Sequence, residues 1–271
     1  MKNIYLAIKR WLQRNIPAGG FLWHILVFPQ RFRRHGFRIF KGYWEARETK
    51  KMIAPLQTRE FLKDHVSIVI QSAGRKEYLE RTIEALRKYF DYDPAKTHWL
   101  IIDDYPDSKE TRDYIKSLDI FDTVILNKRN RGIGYSINKI FAEIQTEFVF
   151  YCQEDYEFLR PVPVEEMMRI LKENPHLSQI MPIGNEKKRY TDFKRISEKH
   201  GECYSMFGFW PYLASMEFFV KVLPFPFYFT APEFTFKVKR RGWKTYGVFG
   251  SPDDDPYVQH IGEERKIFVV K

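Results

Sequence analysis

Only two cysteines occur in 271 residues, Cys152 and Cys203. That is too few for a disulfide framework, and their positions match no metal-ligand spacing. Both read as buried free thiols, in keeping with a reducing cytoplasm. Long hydrophobic runs are also missing. The apolar stretch Phe21–Phe28 is too short to span a bilayer, and Pro17 and Pro29 bracket it. It lacks a small-residue cleavage site, so the expectation is that no secretory signal is present. No internal repeat or low-complexity tract occurs, which sets repeat architectures aside.

Net charge is absent from most of the chain as well. Residues 52–271 carry 33 basic and 33 acidic side chains, so the formal excess of +10 belongs wholly to residues 1–51, with twelve Lys/Arg against Glu45 and Glu48. A neutral body therefore carries a cationic leader. Within it, Ile4, Ile8, Trp11 and Leu12 fall on one helical face, and the basic run Arg31–Arg38 follows the Phe21–Phe28 stretch. Cationic residues interleaved with Trp and Phe suit a helix lying in an anionic membrane interface, here through residues 1–40. A helical arm packed on the body, or a nucleic-acid contact, would use the same residue types. The neutrality of the body argues against a broad nucleic-acid face.

What is present in quantity is apolar and aromatic: 44% of residues are hydrophobic and 17% are Phe, Trp or Tyr, enough for a large core with wide apolar surfaces. Residues 44–64 read as a charged helix broken near Pro55. Short β-branched or apolar runs begin at Val66–Ile70, His98–Ile102, Thr123–Leu126 and Phe148–Cys152. Helical spacing lies between them at Leu79, Ile83, Leu86 and Phe90, around Ser108–Leu118, and near Tyr135–Ile144. Strands alternating with helices of this length predict βαβ units and a single, mostly parallel Rossmann-like sheet flanked by helices. Beyond Pro161 comes a helix near Val164–Glu173 and then aromatic segments with several prolines. The expected division is a basic extension over 1–64 and a catalytic unit over 65–271, itself split into 65–160 and 161–271.

The segment Phe148–Phe158 is the most informative. A buried strand turns abruptly acidic at Glu154-Asp155, which delivers carboxylates to the carboxyl edge of the sheet, where open α/β folds place their ligands. Such a pair suits a hard divalent cation, which in turn can hold a diphosphate. A strand that simply ends in solvated acids would look the same. Two further strand ends are polar, at Ser72–Arg75 and at Asp103-Asp104, and Asn127–Asn138 lies between the last two.

In this order the stretches resemble the family-two glycosyltransferases with the glycosyltransferase-A fold, over roughly residues 66–262. Gln71-Ser-Ala-Gly-Arg75 stands where that family has a Pro-Thr-Tyr-Asn-Arg-like turn, and Asp103-Asp104-Tyr-Pro where it has Asp-Asp-Gly-Ser. Asn130, Gly132 and Asn138 match an Asn-x-Gly-x-x-x-x-x-Asn element. Gln153-Glu154-Asp155 aligns with the Asp-x-Asp metal motif, with Gln153 departing from the usual first acid. Pro256–Gly262 resembles the C-terminal His-x-Gly element of many enzymes with this fold.

The resemblance implies a UDP- or GDP-type nucleotide-sugar donor, held by Ser72, Arg75, Asp103, Asp104, Gly134, Asn138 and Glu154. Asp103 and Asp104 are both able to accept from the base or ribose, and the sequence does not rank them. It implies Mn²⁺ or Mg²⁺ bound by Asp155, with His260 completing the sphere; a packed, hydrogen-bonded core histidine is the plainer alternative. Asp253-Asp-Asp255, among Gly250, Ser251, Pro252 and Pro256, reads as a solvated loop. The acidic pair of the family would fall on Thr230-Ala231, so Glu233 is the candidate general base for an inverting transfer. Pro232-Glu233 is also an ordinary helix opening. Tyr204–Leu213 sits where the family lines its acceptor pocket, and its aromatics suit sugar faces, a lipid chain or the core. The expectation is a cytoplasmic, peripherally membrane-bound glycosyltransferase acting on a glycan or lipid-linked acceptor. A nucleotidyltransferase would need a glycine-rich turn after the first strand, which is missing. A basic nucleic-acid-binding protein and a catalytically silent scaffold of the same fold are the competing readings.

Overall fold

The computed structural model describes residues 47–185, 190, 192–204, 207–225, 231–243 and 245–262, without the side chains of 231–233 and 236. The cationic leader through residue 46 lies outside the described residues. Residues 47–53 are helical and pass into a 3-10 turn, Ala54–Gln57, that opens around Pro55. Ile53 and Leu56 are buried in the body, and Gln57 Nε2 donates to the Val220 carbonyl at 3.0 Å. The compact body therefore takes in residues before the expected boundary at 65.

The body is built on β1 (Leu62–Ser72), β3 (Thr97–Asp103), β4 (Thr123–Leu126) and β5 (Thr146–Gln153). Helices α1 (Lys76–Tyr89), α2 (Lys109–Ser117) and α3 (Ile133–Phe141) make the crossovers. β1 reads as a continuous apolar run because both its faces are covered: Val66, Ile68, Val69 and Ile70 have no exposed surface. α1 turns Leu79, Thr82, Ile83, Ala85 and Leu86 inward, the i, i+3, i+4, i+7 spacing of an amphipathic helix. Ser108 caps α2 by accepting from the Thr111 amide.

The second half adds α4 (Val164–Glu173), β8 (Leu177–Pro182), β9 (Lys194–Arg195), β10 (His200–Cys203), β11 (Tyr212–Ser215), α5 (Met216–Val222), α6 (Ala231–Arg240) and β12 (Thr245–Phe249). The described strands form a nine-stranded sheet in the order β4-β3-β1-β5-β11-β8-β12-β10-β9. Pairing is parallel between β1, β3, β4 and β5 and between β8 and β12; β10 and β11 run against the other strands. The sheet is thus large and mostly parallel, as the sequence predicts. Two short pairings lie outside it. One is parallel, β2 (Phe90–Asp91) with β7 (Val162–Pro163); the other is antiparallel, β6 (Tyr156–Phe158) with β13 (Val258–His260). Cys152 and Cys203 are buried free thiols. No described helix is long and apolar enough to cross a membrane.

Candidate active site

Strands β3, β1 and β5 end side by side, with Ser72 opposite Asp103 and Gln71 opposite Gln153. Four carboxylates gather at this edge, and three of them are used up inside the protein. Ser72 Oγ lies 3.0 Å from Asp103 Oδ1 and 2.7 Å from Glu154 Oε2, so its one proton serves one acid at a time. Glu154, 1% exposed, accepts from the Ala73 amide at 2.8 Å, the Arg75 amide at 3.4 Å and Arg75 Nε at 2.6 Å. Burial pushes its carboxyl up, against the pull of Arg75 and Ser72. Glu154 therefore shapes the Ser72–Arg75 turn from within.

Asp103 is fully buried and also accepts from Arg112 Nε at 2.8 Å. Burial raises its pKa, while Arg112 and Ser72 oppose the rise. Asp104 accepts from Asn127 Nδ2 at 2.8 Å, from the Arg131 amide at 3.0 Å and from the Gly132 amide at 2.7 Å. It thereby fixes the loop that opens α3. Arg112, Asn127 and Lys139, whose Nζ donates to Asn127 Oδ1 at 2.9 Å, support these acids and carried no signal of their own in the sequence. Arg112 sits one turn into the helix that follows the acidic strand end, and only that placement links it to Asp103.

Asp155 differs from the other three. Its Oδ2 accepts from Arg75 Nη2 at 2.7 Å and lies 3.3 Å from His260 Nε2. Its Oδ1 is buried and has no hydrogen-bond partner. Burial would raise this carboxyl, but His260 and Arg75 outweigh it and hold it below the usual carboxylate range. The β6–β13 pairing sets this geometry: Tyr156 stands opposite His260, and the Ile261 amide donates to the Asp155 carbonyl at 2.9 Å. Gly262 closes the site, since a Cβ there would come within 2.5 Å of Asp155 Oδ2.

Asp155 thus has one buried carboxylate oxygen without a partner and an imidazole nitrogen 3.3 Å from its other oxygen, a pair that fits a divalent cation. Among the described residues no cluster of three His, Cys, Asp or Glu side chains could hold one. The protein would thus supply two ligands and leave the remaining positions to phosphate oxygens and water, as Mg²⁺ commonly accepts. Gln153 is half-buried, and its Nε2 lies 3.4 Å from the Tyr151 hydroxyl.

Asn138 is buried; its Nδ2 donates to the Phe225 carbonyl at 3.0 Å and its Oδ1 accepts the Phe225 amide at 2.8 Å. Both amide groups are engaged in tying α3 to the segment after α5. Gly134 is buried within α3. Glu233 stands in the first turn of α6, and its side chain lies outside the described residues. In the 204–213 stretch, Phe207, Trp210 and Tyr212 are core residues, and Tyr204 is exposed. Asp253, Asp254 and Asp255 are exposed in a loop, where Asp254 Oδ2 accepts the Ser251 amide at 2.7 Å.

Solved structures share this architecture at low sequence identity. The mannosyltransferase PcManGT from Pyrobaculum calidifontis, in complex with GDP-Man and Mn²⁺, superposes with a TM-score of 0.59 at 11% identity, covering 83% of this chain and 67% of its own. S. aureus TarS 1-349 in complex with UDP-GlcNAc gives 0.52 at 14% identity, covering 72% of this chain. The chain spans 58% of that TarS structure's length. GalNAc-T7 with UDP, GalNAc and Mn²⁺ gives 0.55 at 14%, over 72% of this chain and 43% of its own. No curated protein matches the sequence. Residues 67–229 match the sequence profile of glycosyl transferase family 2. That span holds the edge formed by Ser72, Asp103 and Asp155 and more than half of the chain, which therefore belongs to glycosyl transferase family 2.

Proposed function

We propose that this edge binds a nucleotide sugar and that the protein transfers the sugar to a hydroxyl of a glycan or lipid-linked glycan. The observation that carries the proposal is the convergence of Arg75, Asp155 and His260, with one Asp155 oxygen buried and unpartnered. Structural neighbours bound to UDP-GlcNAc and to GDP-Man with Mn²⁺ support a donor of the same kind.

Arg75 bridges Glu154 and Asp155 with its side chain part-exposed, so it serves the donor as a fixed positive charge beside the diphosphate. Asp155 and His260 would hold a divalent cation, Mn²⁺ or Mg²⁺, which when bound acts as a Lewis acid for the departing diphosphate. Glu154 and Asp103 keep the Ser72–Arg75 turn in one shape, which limits the reorganisation needed during transfer. Glu233, in the first turn of α6, takes the proton from the acceptor hydroxyl. The acceptor oxygen then bonds to the anomeric carbon from the face opposite the diphosphate. The anomeric C–O bond to the diphosphate breaks, its electron pair leaves with the nucleoside diphosphate, and configuration inverts. The leader at residues 1–40 docks the protein on an anionic membrane face, bringing it to a lipid-linked acceptor.

Release of nucleoside diphosphate from a panel of UDP-, GDP- and dTDP-sugars, with and without Mn²⁺, tests the activity. Turnover of one donor supports it. No turnover and no binding of any donor would remove it, and salt-sensitive RNA binding in its place would favour the nucleic-acid alternative. Flotation with anionic vesicles tests the leader: deleting residues 1–40 should release the protein.

A further inference from the structure

Tyr105 is an exposed aromatic at the sheet edge that presents Asp103 and Asp104. It stands where the family pattern quoted above has glycine. We propose that Tyr105 is the platform on which the donor's nucleobase stacks, an inference that rests on the nucleotide-sugar reading above.

Three observations converge on it. The first is position. Asp104 donates its amide to the Ser72 carbonyl at 3.2 Å, so Tyr105 leaves the end of β3 directly beside the Ser72–Arg75 turn. The diphosphate end of the site is at Asp155, on the other side of that turn, beyond β5. Two strand spacings, about 10 Å, separate β5 from β3, a span that a ribose and a phosphate can bridge. In the opposite direction the edge is closed by packed side chains: Tyr212 at the start of β11 and the neighbouring Phe207 and Trp210 are all buried. A nucleoside diphosphate anchored near Asp155 thus has its open path toward β3.

The second is the way the ring is seated. Gly74 has φ +84°, and a Cβ built on it would lie 2.5 Å from Tyr105 Cδ1, 2.8 Å from Cβ and 2.9 Å from Cγ. The ring rests against the bare backbone of Gly74, so any larger residue there would displace it. The Tyr105 carbonyl accepts the Ser108 amide at 3.3 Å, and with the Asp104–Ser72 bond this pins the backbone beneath the ring. An aromatic held in this way loses little further freedom when a base stacks on it.

The third is exposure. Tyr105 is 43% exposed although it is backed by Gly74. The other strongly exposed aromatic among the described residues, Tyr204, lies after β10, toward the far side of the sheet. An aromatic left exposed at a polar strand edge suits a planar base, which offers a π-face whatever its identity.

Calorimetric titration of the full chain with UDP, GDP and inorganic diphosphate, in the presence of Mn²⁺, separates the possibilities. Tyr105→Ala is expected to weaken the preferred nucleoside diphosphate by roughly tenfold or more, the loss that one base–aromatic stack implies. Inorganic diphosphate should bind unchanged, and Tyr105→Phe should recover most of the lost affinity. In turnover, Tyr105→Ala should raise donor KM with little effect on kcat. If Tyr105→Ala binds the nucleotide as tightly as the unmodified protein, the platform is overturned and the donor reading stands. Equal loss of nucleotide and inorganic diphosphate would also overturn it, because the residue would then merely support the turn. If the unmodified protein binds no nucleoside diphosphate, the donor reading itself fails and the platform with it.

Discussion

Nε2 of His260 lies 3.3 Å from Oδ2 of Asp155, and the β6–β13 pairing holds the two in that relation. The imidazole is half-buried, so replacing it leaves no cavity in the main core. His260→Ala is expected to weaken Mn²⁺-dependent nucleotide binding by at least the roughly tenfold that even an outer-sphere partner is worth. The thermal midpoint without ligand should move little. Titrating Mn²⁺ at fixed nucleotide measures the difference.

Arg75 carries a different load. It is the cation for both Glu154 and Asp155, and Glu154 is almost wholly buried. Arg75→Ala strands that acid without its charge partner, which costs about 3–5 kcal/mol for a buried pair broken on one side. Arg75→Lys keeps the charge but cannot reach both carboxylates with the planar fork, so it should fall between the two. Urea denaturation of the three proteins tests the order.

Asn138 gives the reverse pattern. Its amide answers both the N–H and the carbonyl of Phe225. Asn138→Ala removes both of these buried hydrogen bonds, at about 0.5–1.5 kcal/mol each. Stability should drop, and nucleotide affinity in the folded fraction should stay within about twofold. The same denaturation and binding measurements check both.

These residues also mark what the sequence made legible. The strand ends at Ser72, Asp103 and Gln153 were readable because β-branched and apolar runs stop abruptly at polar residues, and this signal is local. His260 was readable from its place in a short motif, although only the β6–β13 pairing explains its nearness to Asp155. Asn138 matched a motif at the right spacing, but its hydrogen bonds go to Phe225, far along the chain, and no local pattern encodes that. The antiparallel strands β10 and β11 went unread for a similar reason. Their residues, His-Gly-Glu-Cys and Tyr-Leu-Ala-Ser, form no β-branched run, and their pairing is set by packing across the sheet. Glu154 was expected at the donor, yet its depth beneath the Ser72–Arg75 turn depends on the register of β5 against β1.

Lys237, on α6, donates to the Pro224 carbonyl at 2.9 Å. Burial, with Arg241 and Lys50 nearby, lowers its pKa to about 8. Between that value and the ordinary lysine range, the unfolded chain binds the proton more readily than the folded one. Stability should therefore rise as pH increases from about 8 to about 10. Lys237→Met should flatten this slope. Urea midpoints at pH 7.5 and 9.5 for both proteins measure it.

The central claim is that Asp155 stands at a donor site and accepts a cation together with a nucleotide. Isothermal titration of UDP and GDP into the full chain with Mn²⁺, and into Asp155→Asn, tests it most directly, since the amide keeps the shape and removes the charge. The account predicts Mn²⁺-dependent binding of one nucleotide in the unmodified protein and at least a tenfold loss in the variant. Undiminished Mn²⁺-dependent binding by Asp155→Asn would contradict it.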